Sequence, residues 1–276
     1  MTLHAKTLAL IVEAARVLAA HHPMTVRQVY YQLVSRQVIE NNRGQYQAVS
    51  NALVHARQDG FIPWEWIEDR LRRPRAVGMW TDLRHFGKTV IQAYRRDVWT
   101  SQPGYLEVWL EKDALSGIFE ELLEPYGVTL NVGRGYDGWD SIHNAAGRFG
   151  SGKDATILYF GDLDPSGEDM VRSLRERLSF FDCRPEIIKC ALVPEDIQAY
   201  NLPPDFTKQS DTRRKKFVDK FGDVAVELDA LPADVLKARI IEEVEKRMDL
   251  VALKVVKQKE VAERYHLAEM LAEVNT

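Results

Sequence analysis

The chain has 276 residues, 45% of them hydrophobic and 28% charged, which suits one large or two modest globular domains and excludes a disordered or fibrous chain. Its two cysteines, Cys183 and Cys190, are too few for a disulfide framework or a four-cysteine zinc site and read as reduced, buried thiols of a cytoplasmic protein. The net charge of −4 is unevenly spread: residues 1–100 carry 14 Lys and Arg against 8 Asp and Glu and the rest carries 23 against 33, as expected of a polyanion-binding module joined to a cation-binding one.

No secretory leader or membrane span is expected, because Met1–Lys6 is polar and Thr7–Ala20 is interrupted by Glu13 and Arg16. Apolar Leu8, Ile11, Val12, Ala15 and Leu18 recur at helical steps and predict a first helix over residues 4–20, ended by His22 and Pro23. Thr25 opens a second helix with a capping box to Gln28, and Met24 is placed to staple onto Val29. A third helix is expected from Tyr46 to Asp59. The next stretch, rich in Trp, Pro and Arg, is expected to be extended. Three short helices and a basic aromatic extension suggest a winged helix-turn-helix over residues 1–102, in which Arg70, Arg72, Arg73 and Arg75 would contact DNA phosphates.

After Pro103 and Gly104 the pattern changes. Strand-like runs Tyr105–Glu111, Val128–Val132, Ala155–Gly161 and Pro185–Val193 alternate with helical stretches Asp113–Tyr126, Trp139–Phe149 and Pro165–Phe181. Such alternation predicts an α/β domain over residues 103–276 with a largely parallel, Rossmann-like sheet. Pro203, Pro204 and the charged residues 207–220 interrupt it, and Pro232 starts an amphipathic helical tail running to about residue 272.

Three acids fall where a parallel sheet exposes chemistry, just past the carboxyl ends of its strands. Glu111 ends the first strand, and Asp162 and Asp164 follow the third. Carboxylates without histidine or cysteine partners favour Mg²⁺ or Mn²⁺, which would neutralise a phosphate. Two look-alikes fail. Residues 147–154 nearly spell a P-loop but put Asp154 where Ser or Thr is needed, and they lead into a strand. Residues 162–173 begin like a calcium loop but end on Ser173 in place of glutamate.

A glutamate after one strand and an Asp-x-Asp after a later one is the signature of the Toprim domain. Leu110-Glu111-Lys112-Asp113-Ala114 and Gly161-Asp162-Leu163-Asp164-Pro165-Ser166-Gly167 resemble the version found in the topoisomerase VI A subunit and its meiotic double-strand-break relatives. Gly133-Arg134-Gly135-Tyr136-Asp137 resembles their glycine-rich segment, with Asp137 in place of the usual proline. The resemblance covers roughly residues 20–240, and the compact size is similar to the bacterial and plasmid Mini-A forms. It implies a winged helix followed by a Toprim domain, Mg²⁺ or Mn²⁺ held by Glu111, Asp162 and Asp164, and double-stranded DNA as substrate. It also implies a homodimer in which each tyrosine meets the partner's metal, and a separate ATPase B-type subunit for strand passage, since this chain has no ATPase motif of its own.

The family nucleophile lies in an Arg-x-x-Tyr-Tyr context, matched here by Arg27, Tyr30 and Tyr31. At ~100° per residue, Val26, Val29, Tyr30, Leu33 and Val34 form one apolar stripe, and Tyr31 projects about 130° from its centre beside Arg27 and Ser35. Tyr30 is therefore expected in the core and Tyr31 at the surface, with Arg27 a turn earlier to bind a phosphate or favour the phenolate. The expectation is a nucleoid-associated, DNA-cleaving transesterase with Tyr31, Arg27 and Glu111 as catalytic groups and a 5′-phosphotyrosyl intermediate. Two alternatives are a hydrolytic Toprim nuclease in which Tyr31 only binds DNA, and a non-catalytic DNA-binding protein. Glu227 and Asp229 are read as helix caps before Pro232 or as neighbours of the metal. Lys208 and Arg213–Lys216 are read as a DNA-channel lining or a solvated face.

Overall fold

A computed structural model describes residues 5–67, 77–133, 138–150, 152–205, 207 and 210–273. Among these, three helices come first: α1 (Ala5–His21), α2 (Val26–Ser35) and α3 (Arg43–Gln58). Thr25 caps α2 through its side chain, which accepts from the Gln28 N–H, while Gln28 returns a bond to the Thr25 N–H, so the expected capping box is present. The helices enclose a core containing Leu18, Met24, Val29, Leu33, Val49 and Leu53. After a short 3₁₀ turn at Trp64–Trp66, a parallel bridge joins Met24 to Ile67. Arg70, Arg72, Arg73 and Arg75 lie outside the described residues.

Helix α4 (Leu83–Ala93), unexpected from the sequence, follows with Asp82 as its N-cap. Its only buried residue is Gly87, which lies against Leu271 of the C-terminal helix. Beyond it, the Glu263 carboxylate accepts from the Tyr94 hydroxyl and Glu260 accepts from the Arg96 N–H, pinning this segment to the same helix.

The central sheet comprises β1 (Tyr105–Leu110), β2 (Thr129–Val132), β3 (Ala155–Phe160) and β4 (Glu186–Ala191), all parallel in the order β2-β1-β3-β4. Parallel strands covered on both faces read as continuous apolar runs. Leu106, Val108, Leu110, Leu158 and Phe160 face one core, which also holds Phe119 of α5 (Ser116–Leu123) and Ile240 and Val244 of α10 (Ala233–Glu245). Trp109, Ile157 and Tyr159 face another, with residues of α6 (Trp139–Phe149) and α7 (Pro165–Phe180). The result is an α/β/α layering around a four-stranded sheet.

Glu107 is fully buried in β1, yet it is well partnered. Its carboxylate accepts from Nε and Nη2 of Arg148 at 2.5 and 3.0 Å, and from Asn131, Trp109 and Tyr105. That many donors make a buried charge tolerable.

Three expectations are corrected. The 113–126 helix is α5 flanked by 3₁₀ turns at Asp113–Leu115 and Glu124–Tyr126. The charged 207–220 stretch contains α9 (Arg214–Phe221), after the short α8 (Pro194–Ala199). The single helical tail is two helices, α10 and α11 (Leu250–Glu273). Gln102 causes the break: its amide donates to the Asp249 carbonyl at 3.0 Å and accepts from the Asp249 N–H at 2.8 Å. Asp249 then caps Val251 and Ala252 through its side chain and starts α11 afresh. Among the described residues, no helix is long and apolar enough to cross a membrane. Cys190 is buried, as expected, whereas Cys183 is only half-buried, and both are free thiols.

Candidate active site

The connection from β1 runs to β2 on one side and that from β3 runs to β4 on the other, so the crevice beyond β1 and β3 is a topological switch point. Glu111 leaves β1 there, with its N–H still bonded to the Phe160 carbonyl at 2.9 Å. Asp162 follows β3 by two residues and donates its N–H to Glu111 Oε2 at 2.9 Å. Asp164 is the N-cap of α7, accepting from the Gly167 N–H at 2.7 Å. Gly161 and Gly167 crowd this corner: a Cβ on the first would collide with Glu111 Oε2, and one on the second with the Asp162 carbonyl oxygen.

A distant segment completes the crevice. Leu163 and Val226 exchange two antiparallel backbone bonds of 2.9 Å, which lays residues 226–229 beside the acids. The Leu228 N–H then donates to Asp162 Oδ1 at 2.7 Å. Lys112 bridges the two segments, reaching Asp229 at 2.5 Å, Glu227 at 2.8 Å and Asp162 at 3.4 Å. Asp229 is 2% exposed, and its second carboxylate oxygen has no hydrogen-bond partner. Glu227 and Asp229 therefore belong to the site and do not act as side-chain caps for α10, whose N-cap Pro232 makes no side-chain bond.

The turn at Leu228–Ala230 also receives α2. Arg27 pairs with Glu227 at 2.8 Å, and Tyr31, one turn further along α2, lines the same cavity as that carboxylate. Tyr30 lies in the first core with its hydroxyl on Asn41, as its place in the apolar stripe requires. Tyr31, expected at the surface, is instead half-buried, because its side chain packs against both the first core and the core of the sheet. Tyr31, Asp162, Asp164 and Glu227 all line one cavity of about 220 Å³, together with Asp205 and Asp211. Arg213, expected along a DNA channel or a solvated face, pairs with Asp211 at 2.8 Å and donates to Ser166 at the cavity edge. Arg134–Asp137 and Lys208 lie outside the described residues.

The electrostatics are those of crowded negative charge. Burial, then the Asp162 and Asp164 charges, push the Glu111 carboxyl up to about 7. Burial likewise pushes Asp162 up to about 6, against Lys112 and the Leu228 N–H. Burial opposes the charge of Lys112, but Asp229, Asp162 and Glu227 hold its pKa above the ordinary lysine range. Burial would raise Glu227 too, yet Lys112, Arg27 and the Tyr31 hydroxyl hold it below the usual carboxylate range. For Tyr31, burial and then Glu227 raise the phenol well above its ordinary value, and Lys112 and Arg27 only partly offset them. The arginine that was expected to favour the phenolate is thus engaged with Glu227.

The donor chemistry fits a divalent cation. Glu111, Asp162 and Asp164 each use one carboxylate oxygen within the protein, and a cation would relieve the repulsion that raises the first two. Among the described residues, no group of three or more acidic, histidine or cysteine side chains is arranged to hold a metal ion. No protein-family model matches the chain, and no curated protein matches it.

Proposed function

We propose that this protein cleaves double-stranded DNA with the help of Mg²⁺ or Mn²⁺, as a tyrosine transesterase of the topoisomerase VI A type. On this reading helices α1–α3 are the core of a winged-helix module, the parallel sheet with its helices is a Toprim domain, and the protein works on the nucleoid as a homodimer. The observation that carries it is the cavity shared by Tyr31 and the two aspartates of the Asp-x-Asp motif. Those groups come from parts of the chain separated by more than a hundred residues, and a tyrosine hydroxyl beside strand-end carboxylates is what phosphoryl transfer to a protein requires.

Glu111, Asp162 and Asp164 would hold the cation, which when bound supplies charge neutralisation at the scissile phosphate. The Tyr31 oxygen bonds to phosphorus, the bond from phosphorus to the 3′ oxygen breaks, and the 3′ oxygen leaves as a hydroxyl. The 5′ end stays on the protein, and the reverse reaction reseals the strand. A separate ATPase subunit would be the source of any ATP-driven strand passage.

Incubation with supercoiled DNA and Mg²⁺ or Mn²⁺ tests the reading: protein-linked 5′ ends should form, and chelation should prevent them. Tyr31→Phe should remove the adduct while leaving DNA affinity within about twofold, since one hydroxyl adds little to a phosphate-dominated affinity. Asp162→Ala or Asp164→Ala should abolish cleavage. Full cleavage by the Tyr31 variant would overturn the transesterase reading. A second reading, hydrolysis of DNA by water without a covalent intermediate, is favoured by the raised Tyr31 phenol. It predicts free 5′ phosphates and a Tyr31→Phe protein that still cuts.

A further inference from the structure

We propose that Lys189, on the edge strand β4, is a positioning residue for the cation. It grips the backbone of the Asp-x-Asp motif from behind and keeps Asp162 and Asp164 turned towards one ion. The inference rests on the metal-dependent reading and concerns a residue that does not itself line the cavity.

Lys189 is the one charged residue in the run Ile187-Ile188-Lys189-Cys190-Ala191. An ammonium on a strand covered by a helix needs partners. Lys189 stands in register with Tyr159 of β3, so both side chains leave the sheet on the face covered by α7. Just past this pair the register shifts, and Phe160 meets Ala191. Such an irregularity bends the strand and re-aims its side chains. The Lys189 ammonium donates to the Asp162 carbonyl at 2.9 Å and to Glu168 at 2.6 Å. The lysine side chain is only 14% exposed, and Glu168 stands in the first turn of α7. One buried charge thus ties the strand, the motif and the helix together.

What these bonds fix is a peptide plane. The group between Asp162 and Leu163 has its oxygen on Lys189 and its N–H on the Val226 carbonyl at 2.9 Å. Turning that plane would change ψ of Asp162 and φ of Leu163, the dihedrals that set the angle between the two aspartates. Gly167 presses on the same oxygen from the first turn of α7, leaving it no other direction. Lys112 makes the contrast: it bonds Asp162 and Asp229 through their carboxylates and so competes with a cation. Lys189 takes no carboxylate oxygen of Asp162 or Asp164. It can therefore hold the motif without displacing an ion, and partners of this kind govern metal affinity by about 10- to 100-fold.

Mn²⁺ uptake by the DNA-free protein, followed by electron paramagnetic resonance, tests this independently of cleavage. Lys189→Met keeps the apolar stem and removes the donor, and should weaken Mn²⁺ binding about 10-fold or more. Lys189→Arg keeps the charge and the donors and should recover most of the loss. Denaturant titration in chelator shows which variants are folded, and Lys189→Gln carries the same expectation if the Met protein is not. On supercoiled DNA, Lys189→Met should fail at Mn²⁺ levels that suffice for the wild type. At saturating Mn²⁺ it should return to within about threefold of the wild-type rate, since it acts through the ligands and not on the reacting atoms. A folded Lys189→Met protein with unchanged Mn²⁺ affinity would overturn the proposal, because a lysine that only stabilises α7 would lower the denaturation midpoint and nothing else. Wild-type protein that takes up no Mn²⁺ sinks the metal-dependent reading itself, so the two failures are told apart.

Discussion

Gly167 stands in the first turn of α7, where a Cβ would press on the carbonyl oxygen of Asp162. Because the obstacle is backbone, relief requires moving the loop that carries Asp162 and Asp164. Gly167→Ala should therefore lose about 1–3 kcal/mol of stability, as overpacking does, and lose cleavage as well. Gly147 on α6 offers the control, since open space surrounds its missing side chain. There Ala should gain about 0.5–1 kcal/mol from helix propensity. Denaturant titration of the two variants checks both signs, and equal effects would remove the steric reason for glycine at 167. The motif residues Glu111, Asp162 and Asp164 were legible because their positions follow from strand ends. Glu227 and Asp229 stayed divided between helix caps and neighbours of the metal, because they reach the site through a pairing between Leu163 and Val226 that leaves no local pattern.

At the scale of elements, α2 does two tasks: its apolar stripe packs the first core, and its opposite side brings Arg27 and Tyr31 to Glu227. Its entry is set by the Thr25 capping box, so Thr25→Ala should cost about 1 kcal/mol. Thermal melts would register that loss, and Thr25→Ser, which keeps the hydroxyl, should recover most of it. The capping box was readable because it occupies four consecutive residues. Helix α4 was not, although Asp82 marks its start. Gly87 and the β-branched Thr89, Val90 and Ile91 lower its intrinsic propensity, and its packing partner α11 lies at the other end of the chain. The break between α10 and α11 has the same origin, since Gln102 and Asp249 are distant in sequence.

Across the molecule, the acidic crevice links stability to pH and to cations. The carboxyls of Glu111, at about 7, and Asp162, at about 6, both sit above their ordinary values of 4.5 and 3.8. In the intervening range the folded protein binds more protons than the unfolded chain, so this contribution to stability is present at low pH and fades as pH rises through 6 to 7. A cation takes the deprotonated form and should reverse the loss. Mg²⁺ or Mn²⁺ is therefore expected to raise the melting temperature more at pH 8 than at pH 5, relative to chelator, and in the Asp162→Ala protein the difference should shrink. A larger cation effect at pH 5 would exclude these carboxyls as its origin.

The sequence by itself determined the parallel α/β architecture, the strand ends bearing Glu111, Asp162 and Asp164, and the burial of Tyr30 beside a less buried Tyr31. All of these follow from local periodicity and from the two-sided burial of parallel strands. Only the tertiary structure decided where Tyr31 sits relative to the acids. That geometry depends on Arg27 meeting Glu227 and on Leu163 pairing with Val226, contacts between residues remote in the chain. Local patterns specify which face a residue occupies, and long-range packing alone specifies what that face meets.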